Sequence, residues 1–286
     1  MLRKMKKYLI QKAKNLIRRM FARLNMHLIV SKYGRFQLSM YNESSRPMIP
    51  KYINLGAGSF YHPLWHNVDM PNEFYKDLQN NPYIEHDFSS RENLPLEDNS
   101  IEIAYCSHVI EHLSHEDVKH LFSEVMRVLN PEGIFRVTCP DSDLIYKAYM
   151  QNDKYFWGPA SPWKTNPKNQ TEKYLEHVAT LLSPTFDNLS QKVLSEREVS
   201  DLASTLSRED FLDTLIGMLP SDANNILPEG HCNWFNYSKI ESLLKDCGFN
   251  KINKSSYLQS SEAKLREPTM FDSTTPEFSL YVECQI

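Results

Sequence analysis

The chain has 286 residues, of which 41% are hydrophobic and 24% are charged, as in a globular protein of one large or two small domains. No segment offers the roughly 18 uncharged apolar residues that a membrane-spanning helix requires. The five cysteines are odd in number and contain no Cys-x-x-Cys pair. This favours structural thiols in a reducing cytoplasm over a disulfide framework.

The N-terminal segment, residues 1–46, differs in charge from the rest of the chain. Residues 1–42 contain eleven Lys or Arg and no acid, whereas the remaining 21 basic and 36 acidic residues leave a charge of −15. Apolar residues from Leu2 to Leu24 form one stripe at helical spacing, with most basic residues opposite. We predict a basic amphipathic helix for an anionic membrane surface or a partner protein. The alternatives are a helix docked on the acidic body, a disordered tail or a mitochondrial presequence. The acidic remainder disfavours nucleic acid.

Residues 53–58 read Ile-Asn-Leu-Gly-Ala-Gly, a short apolar strand followed by a glycine turn. Residues 66–69, His-Asn-Val-Asp, form a second short strand that ends in an acid. Glycine at 56 and 58 permits a tight turn on which a ligand can lie. Asp69 would stand at the carboxyl end of its strand, where open α/β sheets bind ligands.

A nicotinamide dinucleotide is the rival ligand for this turn. Its fingerprint requires Gly-x-Gly-x-x-Gly, a long helix and an acid about 20 residues later. Tyr61 occupies the third glycine position, the acid already arrives at residue 69, and Pro63 leaves room for a turn or two of helix. The spacing therefore disfavours a dinucleotide.

Residues 101–139 predict one parallel β-α-β unit. The strand at 101–106 is followed by a loop at 107–113 and by a helix that Ser114 caps. Apolar residues from Val118 to Met126 recur at three- and four-residue steps, so one helix face is buried. Pro131 and Gly133 end the helix before a strand at 134–139.

These motifs together resemble the class I methyltransferases that use S-adenosylmethionine, over residues 50–150 and 228–286. The ordered set is Asn-Leu-Gly-x-Gly, Asn-Val-Asp, His-Asp at 86–87, Val-Ile-Glu-His-Leu, Leu-Asn-Pro-Glu-Gly and Cys-Pro-Asp. The short gap before Asn-Val-Asp and the late His-Cys-Asn-Trp-Phe at 231–235 resemble small methyltransferases of bacterial surface-polysaccharide clusters. The resemblance implies a Rossmann-like α/β fold, with a mainly parallel seven-stranded sheet and an antiparallel edge strand.

The resemblance implies S-adenosylmethionine as the cofactor. Asp69 would accept hydrogen bonds from the ribose hydroxyls, Asp87 would lie near the adenine amino group, and Met70 would stack on the adenine. The structural alternatives are a strand-end cap for Asp69, a helix N-cap with Ser89 for Asp87 and ordinary core for Met70. The predicted cofactor-binding residues are Gly56, Ala57, Gly58, Asp69, Met70, Asp87, Phe88, Ser107 and His108.

A hydroxyl acceptor would need a general base, and histidine has a suitable pKa. The predicted catalytic candidates are His231, His108 and His112. In the family, the histidine of Glu-His-Leu is often structural. His108, Glu111 and His112 also have the spacing of metal ligands on a helix, and some quinone-pathway methyltransferases carry Glu-x-x-Glu-His here with a divalent ion. Because histidine replaces the first glutamate, we predict no metal site.

Residues 151–227 predict a helical insertion that selects the acceptor, between a cofactor-binding core at 47–150 and a C-terminal part of the sheet at 228–286. Its aromatics, including Trp157 and Trp163, would line a sugar or lipid site or merely fix the insertion in place. We expect O-methylation of a glycan or lipid-linked sugar, in the cytoplasm or at the inner membrane. The alternatives are a small-molecule methyltransferase of quinone or natural-product metabolism and a non-catalytic partner subunit.

Overall fold

The computed structural model describes residues 26–30, 36–40, 50–58, 60, 62, 64–70, 83–157, 167–190, 192–267 and 270–286. Strands β1 (Met26–Val30) and β2 (Phe36–Met40) pair antiparallel in a two-stranded sheet. This hairpin is not among the elements predicted from the sequence. The amphipathic helix predicted for residues 2–24 lies outside the described residues, as does Trp163.

Seven further strands form a single sheet. They are β3 (Tyr52–Leu55), β4 (Trp65–Asp69), β5 (Tyr83–Glu85), β6 (Ile101–Ser107), β7 (Leu129–Pro140), β8 (Lys251–Ser255) and β9 (Ser279–Gln285). Their order is β5-β4-β3-β6-β7-β9-β8. The first five are parallel, and β9 runs antiparallel to both of its neighbours. The predicted mainly parallel sheet is confirmed, with its antiparallel strand one place in from the edge.

The order of the strands creates a crevice at the carboxyl edge of the sheet. From β3 the chain proceeds outward through β4 to β5, and it then returns to place β6 on the other side of β3. In open α/β sheets, ligands bind where the strand order reverses in this way, outside the carboxyl ends of the strands. The segments that follow Leu55, Asp69 and Ser107 therefore lie at one edge.

Helix α1 (His115–Val128) links β6 to β7, as predicted. The Ser114 side chain accepts a hydrogen bond from the Asp117 backbone N–H, and the acids of the first turn complement the helix dipole. The start of β7 differs from the prediction, because the strand begins at Leu129 rather than after Gly133. The register shifts between Ile101 and Ile103, where the extra residues of β7 bulge outward.

The other described helices are α2 (Ser142–Met150), α3 (Gln170–Val178), α4 (Glu196–Thr205), α5 (Arg208–Gly217), α6 (Ala223–Ile226) and α7 (Tyr237–Asp246). The described part of residues 151–227 contains helices and no strand. Its buried side chains, such as Tyr174 and Phe211, share one apolar cluster with Ile145 of α2 and with Trp234. Among the residues described, no helix combines the length and the hydropathy that a bilayer crossing demands.

A buried ionic network fastens the C-terminal loop to the sheet. Arg136 of β7 donates from Nε and Nη2 to the two carboxylate oxygens of Asp272, at 3.1 and 2.6 Å. Both side chains are fully buried. Arg136 also donates to the backbone oxygen of Ser256, and Asp272 accepts from the backbone N–H of Leu258. These bonds compensate the charges that burial removes from water.

Candidate functional site

The glycine turn after β3 has the predicted backbone. Gly56 and Gly58 have φ values of +67° and +51°, in the left-handed region that favours glycine. The Gly56 N–H donates to the carbonyl of Val68 at 2.9 Å. A Cβ at Gly56 would lie 2.2 Å from Cγ2 of Val109. The turn is therefore pressed against the segment that follows β6.

Asp69 is fixed to this turn by its side chain. Its Oδ2 accepts a hydrogen bond from the Gly58 N–H at 2.7 Å, and its Oδ1 accepts one from the Met70 N–H at 2.8 Å. Burial raises the pKa of Asp69, while these backbone donors act in the opposite direction. Each carboxylate oxygen retains a second lone pair. The arrangement is suited to receiving two hydroxyl groups beside a turn without side chains.

The remaining predicted cofactor residues lie at the same edge of the sheet or along β5. The Met70 side chain is 47% exposed, unlike a core methionine. Asp87 follows β5, and its Oδ1 accepts from the backbone N–H and hydroxyl of Ser89 at 2.8 and 2.7 Å in a turn that is not a helix. Phe88 is buried, with its ring 5.5 Å from that of His86. Ala57 lies in the glycine turn, and Ser107 Oγ is 3.0 Å from the hydroxyl of Thr138.

His108 occupies an unusual backbone position directly after β6. Its φ is +55°, which is uncommon for a residue other than glycine. Its Nδ1 lies 3.1 Å from Oε1 of Glu111, and its Nε2 lies 2.8 Å from the hydroxyl of Ser279 at the start of β9. Loop backbone strained in this way recurs at functional sites. Both ring nitrogens therefore have oxygen neighbours from different parts of the fold.

Glu111 is at the centre of a histidine group, which we define as His108, His112 and His231. Its side chain is 2% exposed. Burial would raise the pKa of Glu111, but the ring of His108, with smaller effects of His112 and His231, holds it at about 2. His112 Nε2 lies 4.0 Å from Oε1, and the rings of His112 and His231 are 5.0 Å apart, centre to centre.

The three predicted catalytic histidines thus come together, but in different environments. His112 Nδ1 is 3.1 Å from the carbonyl of Gly230, and its side chain is 21% exposed. His231 is buried, with Nδ1 2.8 Å from the carbonyl of His177. Burial, together with His112, lowers the pKa of His231 to about 3. A ring with this pKa is a weak base.

Several residues of the site were not predicted from the sequence. Glu111 was noted in the sequence only for its metal-ligand spacing with His108 and His112. That its carboxylate lies close to all three histidines was not predicted. Ser279 contacts His108 from the last strand, and no local pattern indicates this. Lys239 is largely buried over the ring of Trp234, with Nζ 4.1 Å from the ring centre and 3.1 Å from Oδ1 of Asn233. Burial lowers the pKa of Lys239 to about 8.

Residues 65–137 match a family model described as a methyltransferase domain. The match extends from β4 into β7, so it contains Asp69 and the segment from His108 to His112. This part of the chain is therefore similar to a methyltransferase domain. S-adenosylmethionine is therefore the cofactor, as the sequence predicts. The site fits this molecule: an anchored carboxylate suits the ribose hydroxyls, and a Cβ-free turn lies beside it.

Solved structures are also similar to this chain. One S-adenosylmethionine-dependent methyltransferase, from Mesorhizobium loti, is 14% identical with a TM-score of 0.41, over 82% of this chain and 90% of its own. A possible histamine N-methyltransferase from Thermotoga maritima is 10% identical with a TM-score of 0.39, over 82% and 81%. Similarity at this level transfers neither a substrate nor a residue role. The search of curated proteins found no match.

Proposed function

We propose that the glycine turn and Asp69 hold S-adenosylmethionine at the carboxyl edge of the sheet. The main support for this proposal is the pair of hydrogen bonds that join Asp69 to the backbone of Gly58 and Met70. They fix the carboxylate so that it can accept from both ribose hydroxyls, with the exposed Met70 beside it for the adenine. The other residues of the proposed site are Gly56, Ala57, Asp87, Phe88, Ser107 and His108.

The cofactor supplies an activated methyl group, so the protein must mainly align an acceptor and exclude water. We assign proton acceptance from an acceptor hydroxyl to His108. Glu111 lies against Nδ1, and Nε2, which is 2.8 Å from Ser279 Oγ, is the nitrogen that would take the proton. A buried carboxylate that orients an imidazole in this way is a typical arrangement for activating a histidine as a general base. His112 is the second candidate for this role.

The proposed acceptor is a glycan or a lipid-linked sugar. Two observations support it: the motif order that resembles polysaccharide-cluster methyltransferases, and an aromatic border beside the histidine group. The ring centre of His177 on α3 is 6.4 Å from that of His231 and 5.4 Å from that of Phe278. The ring of Phe156 lies 5.9 Å from that of Phe278. Flat apolar side chains with a few polar groups are typical of small-molecule sites, so a quinone or natural product is the alternative acceptor.

A methyl-transfer assay tests the acceptor and the base together. The purified protein is given S-adenosylmethionine with a labelled methyl group and panels of nucleotide sugars, polyprenyl-linked sugars and phenols. With the preferred acceptor, His108→Gln should lower kcat by about 10²–10⁴-fold. His115→Gln, an exposed histidine outside the site, is the matched control.

Two outcomes would change this account. Full activity of His108→Gln would remove the proposed base. Tight cofactor binding without transfer to any acceptor in the panels would favour the third function, a non-catalytic subunit that acts through a partner protein.

We further propose that residues 1–24 hold the protein at an anionic membrane surface on the cytoplasmic side. Basic residues near such a surface contribute about 1 kcal/mol each. The full chain should co-sediment with vesicles that contain an anionic phospholipid and not with purely zwitterionic vesicles. Replacement of Arg3, Lys4 and Lys7 by Gln should weaken this binding, as should 0.5 M salt. Equal binding to both vesicle types would contradict the proposal.

A further inference from the structure

We infer that Glu111, His112 and His231 form a binding site for a divalent transition-metal ion, with Zn²⁺ as the first candidate. One ligand atom from each residue lies within 4.8 Å of those of the other two. Two imidazoles and one carboxylate are a donor set that Zn²⁺ accepts in proteins. The third ligand comes from a loop that is remote in sequence, so folding assembles the site.

Both imidazole rings are held in an orientation that suits metal binding. Nδ1 of His112 faces the carbonyl of Gly230, and Nδ1 of His231 faces the carbonyl of His177. A carbonyl only accepts hydrogen bonds, so each Nδ1 carries the proton and each Nε2 carries the lone pair. Metal-binding histidines are oriented in this manner by a second hydrogen bond to a carbonyl or carboxylate.

The Glu111 carboxylate is buried and incompletely hydrogen-bonded. Within the described part of the chain, Oε2 of Glu111 accepts no hydrogen bond. The contact with His108 Nδ1, at 3.1 Å, reaches Oε1 alone. A buried carboxylate oxygen without a hydrogen-bond donor is unfavourable. A cation coordinated by all three groups would give Oε2 a partner.

The geometry requires a small contraction of the cluster. In a tetrahedral site with bonds of about 2.1 Å, ligand atoms are about 3.4 Å apart, so the side chains need to move inward by about 1 Å. Ile110–His112 is a single 3-10 turn rather than a helix, so the site does not depend on helical ligand spacing. Three protein ligands leave one position open, and the exposed part of His112 provides an approach. If the proposed O-methylation is correct, that position would take the acceptor oxygen.

The test is metal binding by the intact protein, with a readout that is independent of activity. Protein without a polyhistidine tag is stripped with a chelator, and Zn²⁺ is then titrated by calorimetry. We expect one ion per chain, and at least a tenfold weaker affinity in Glu111→Gln and in His231→Gln. His115→Gln should bind as the wild type does. Co²⁺ should give the intense visible absorption of a four-coordinate ion in the wild-type protein, which requires no variant to fold.

The site would be refuted if folded wild-type protein bound neither ion stoichiometrically. It would also be refuted if Glu111→Gln and His231→Gln, folded by circular dichroism, bound Zn²⁺ as tightly as the wild type. Failure of this test leaves cofactor binding untouched, because Asp69 and the glycine turn do not contribute ligands.

Discussion

Single residues at the carboxyl edge have conformations and environments that limit which side chains they tolerate. Gly56 combines a positive φ with close contact to Val109. A side chain at this position would therefore strain the backbone and also clash with Val109. The type and place of this residue were predicted from the sequence, since a glycine between an apolar strand and a polar turn is a local signal. Its contact with Val109 was not, because it depends on how β3 and β6 align.

Gly56→Ala should weaken S-adenosylmethionine binding by at least about tenfold and lower the free energy of unfolding by about 2–4 kcal/mol. The methyl group would meet Cγ2 of Val109 at 2.2 Å in a backbone region that alanine disfavours. Gly217→Ala is the control, because nothing lies within 4 Å of its added Cβ. Calorimetry and urea unfolding measure both effects. Unchanged binding in Gly56→Ala would contradict the role of the turn.

Lys239 is a second residue whose environment sets a measurable property. The folded pKa is about 8, below the usual value of 10.5. Between these values the unfolded chain binds more protons than the folded protein, so the free energy of unfolding rises with pH across that window.

Lys239→Met should remove this pH-dependent rise and stabilise the protein at pH 7 by about 1–3 kcal/mol. The range allows for the lost contacts with Trp234 and Asn233. Urea unfolding at pH 7 and pH 10, compared with the exposed control Lys245→Met, measures the effect. A variant less stable than wild type at pH 7 would show that those contacts outweigh the cost of burial.

At the scale of elements, the β6-α1-β7 unit follows closely from the sequence. The Ser114 cap, the buried face of α1 and the two strands are local patterns, and all are present. The bulge at the start of β7 was not predicted, because proline and glycine signal a turn and pairing with β6 extends the strand through it. The C-terminal loop is held by Arg136 and Asp272, which are 136 residues apart in the chain. Such a pair leaves no local signal.

Asp272→Ala should lower the free energy of unfolding by about 3–5 kcal/mol, since it leaves the Arg136 guanidinium buried without its main partner. The exposed pair of Arg197 and Asp201, 3.7 Å apart, provides the control. Asp201→Ala should cost less than about 0.5 kcal/mol. Thermal and urea unfolding measure the difference. Equal stability of the two variants would show that the buried network contributes little.

At the scale of the whole molecule, the site is assembled from parts that are distant in the chain. The glycine turn, the loop after β6, the start of β9 and residues 230–231 converge on the carboxyl edge of one sheet. The sheet and its cofactor could be predicted, because the motifs occur in a fixed order. The burial of His231 could not be predicted, because it depends on α3. The His177 carbonyl of that helix accepts a hydrogen bond from His231 Nδ1. The proposed acceptor site involves this same insertion.

Calorimetric titration with S-adenosylmethionine tests the central claim most directly. Wild type should bind one cofactor with micromolar affinity, and Asp69→Ala should bind at least about tenfold more weakly, because hydrogen bonds to a charged group contribute about 1.5–3 kcal/mol each. Asp246→Ala, at the exposed end of α7, should bind normally. Absence of binding by folded wild type, or undiminished binding by Asp69→Ala, would contradict the proposed cofactor site.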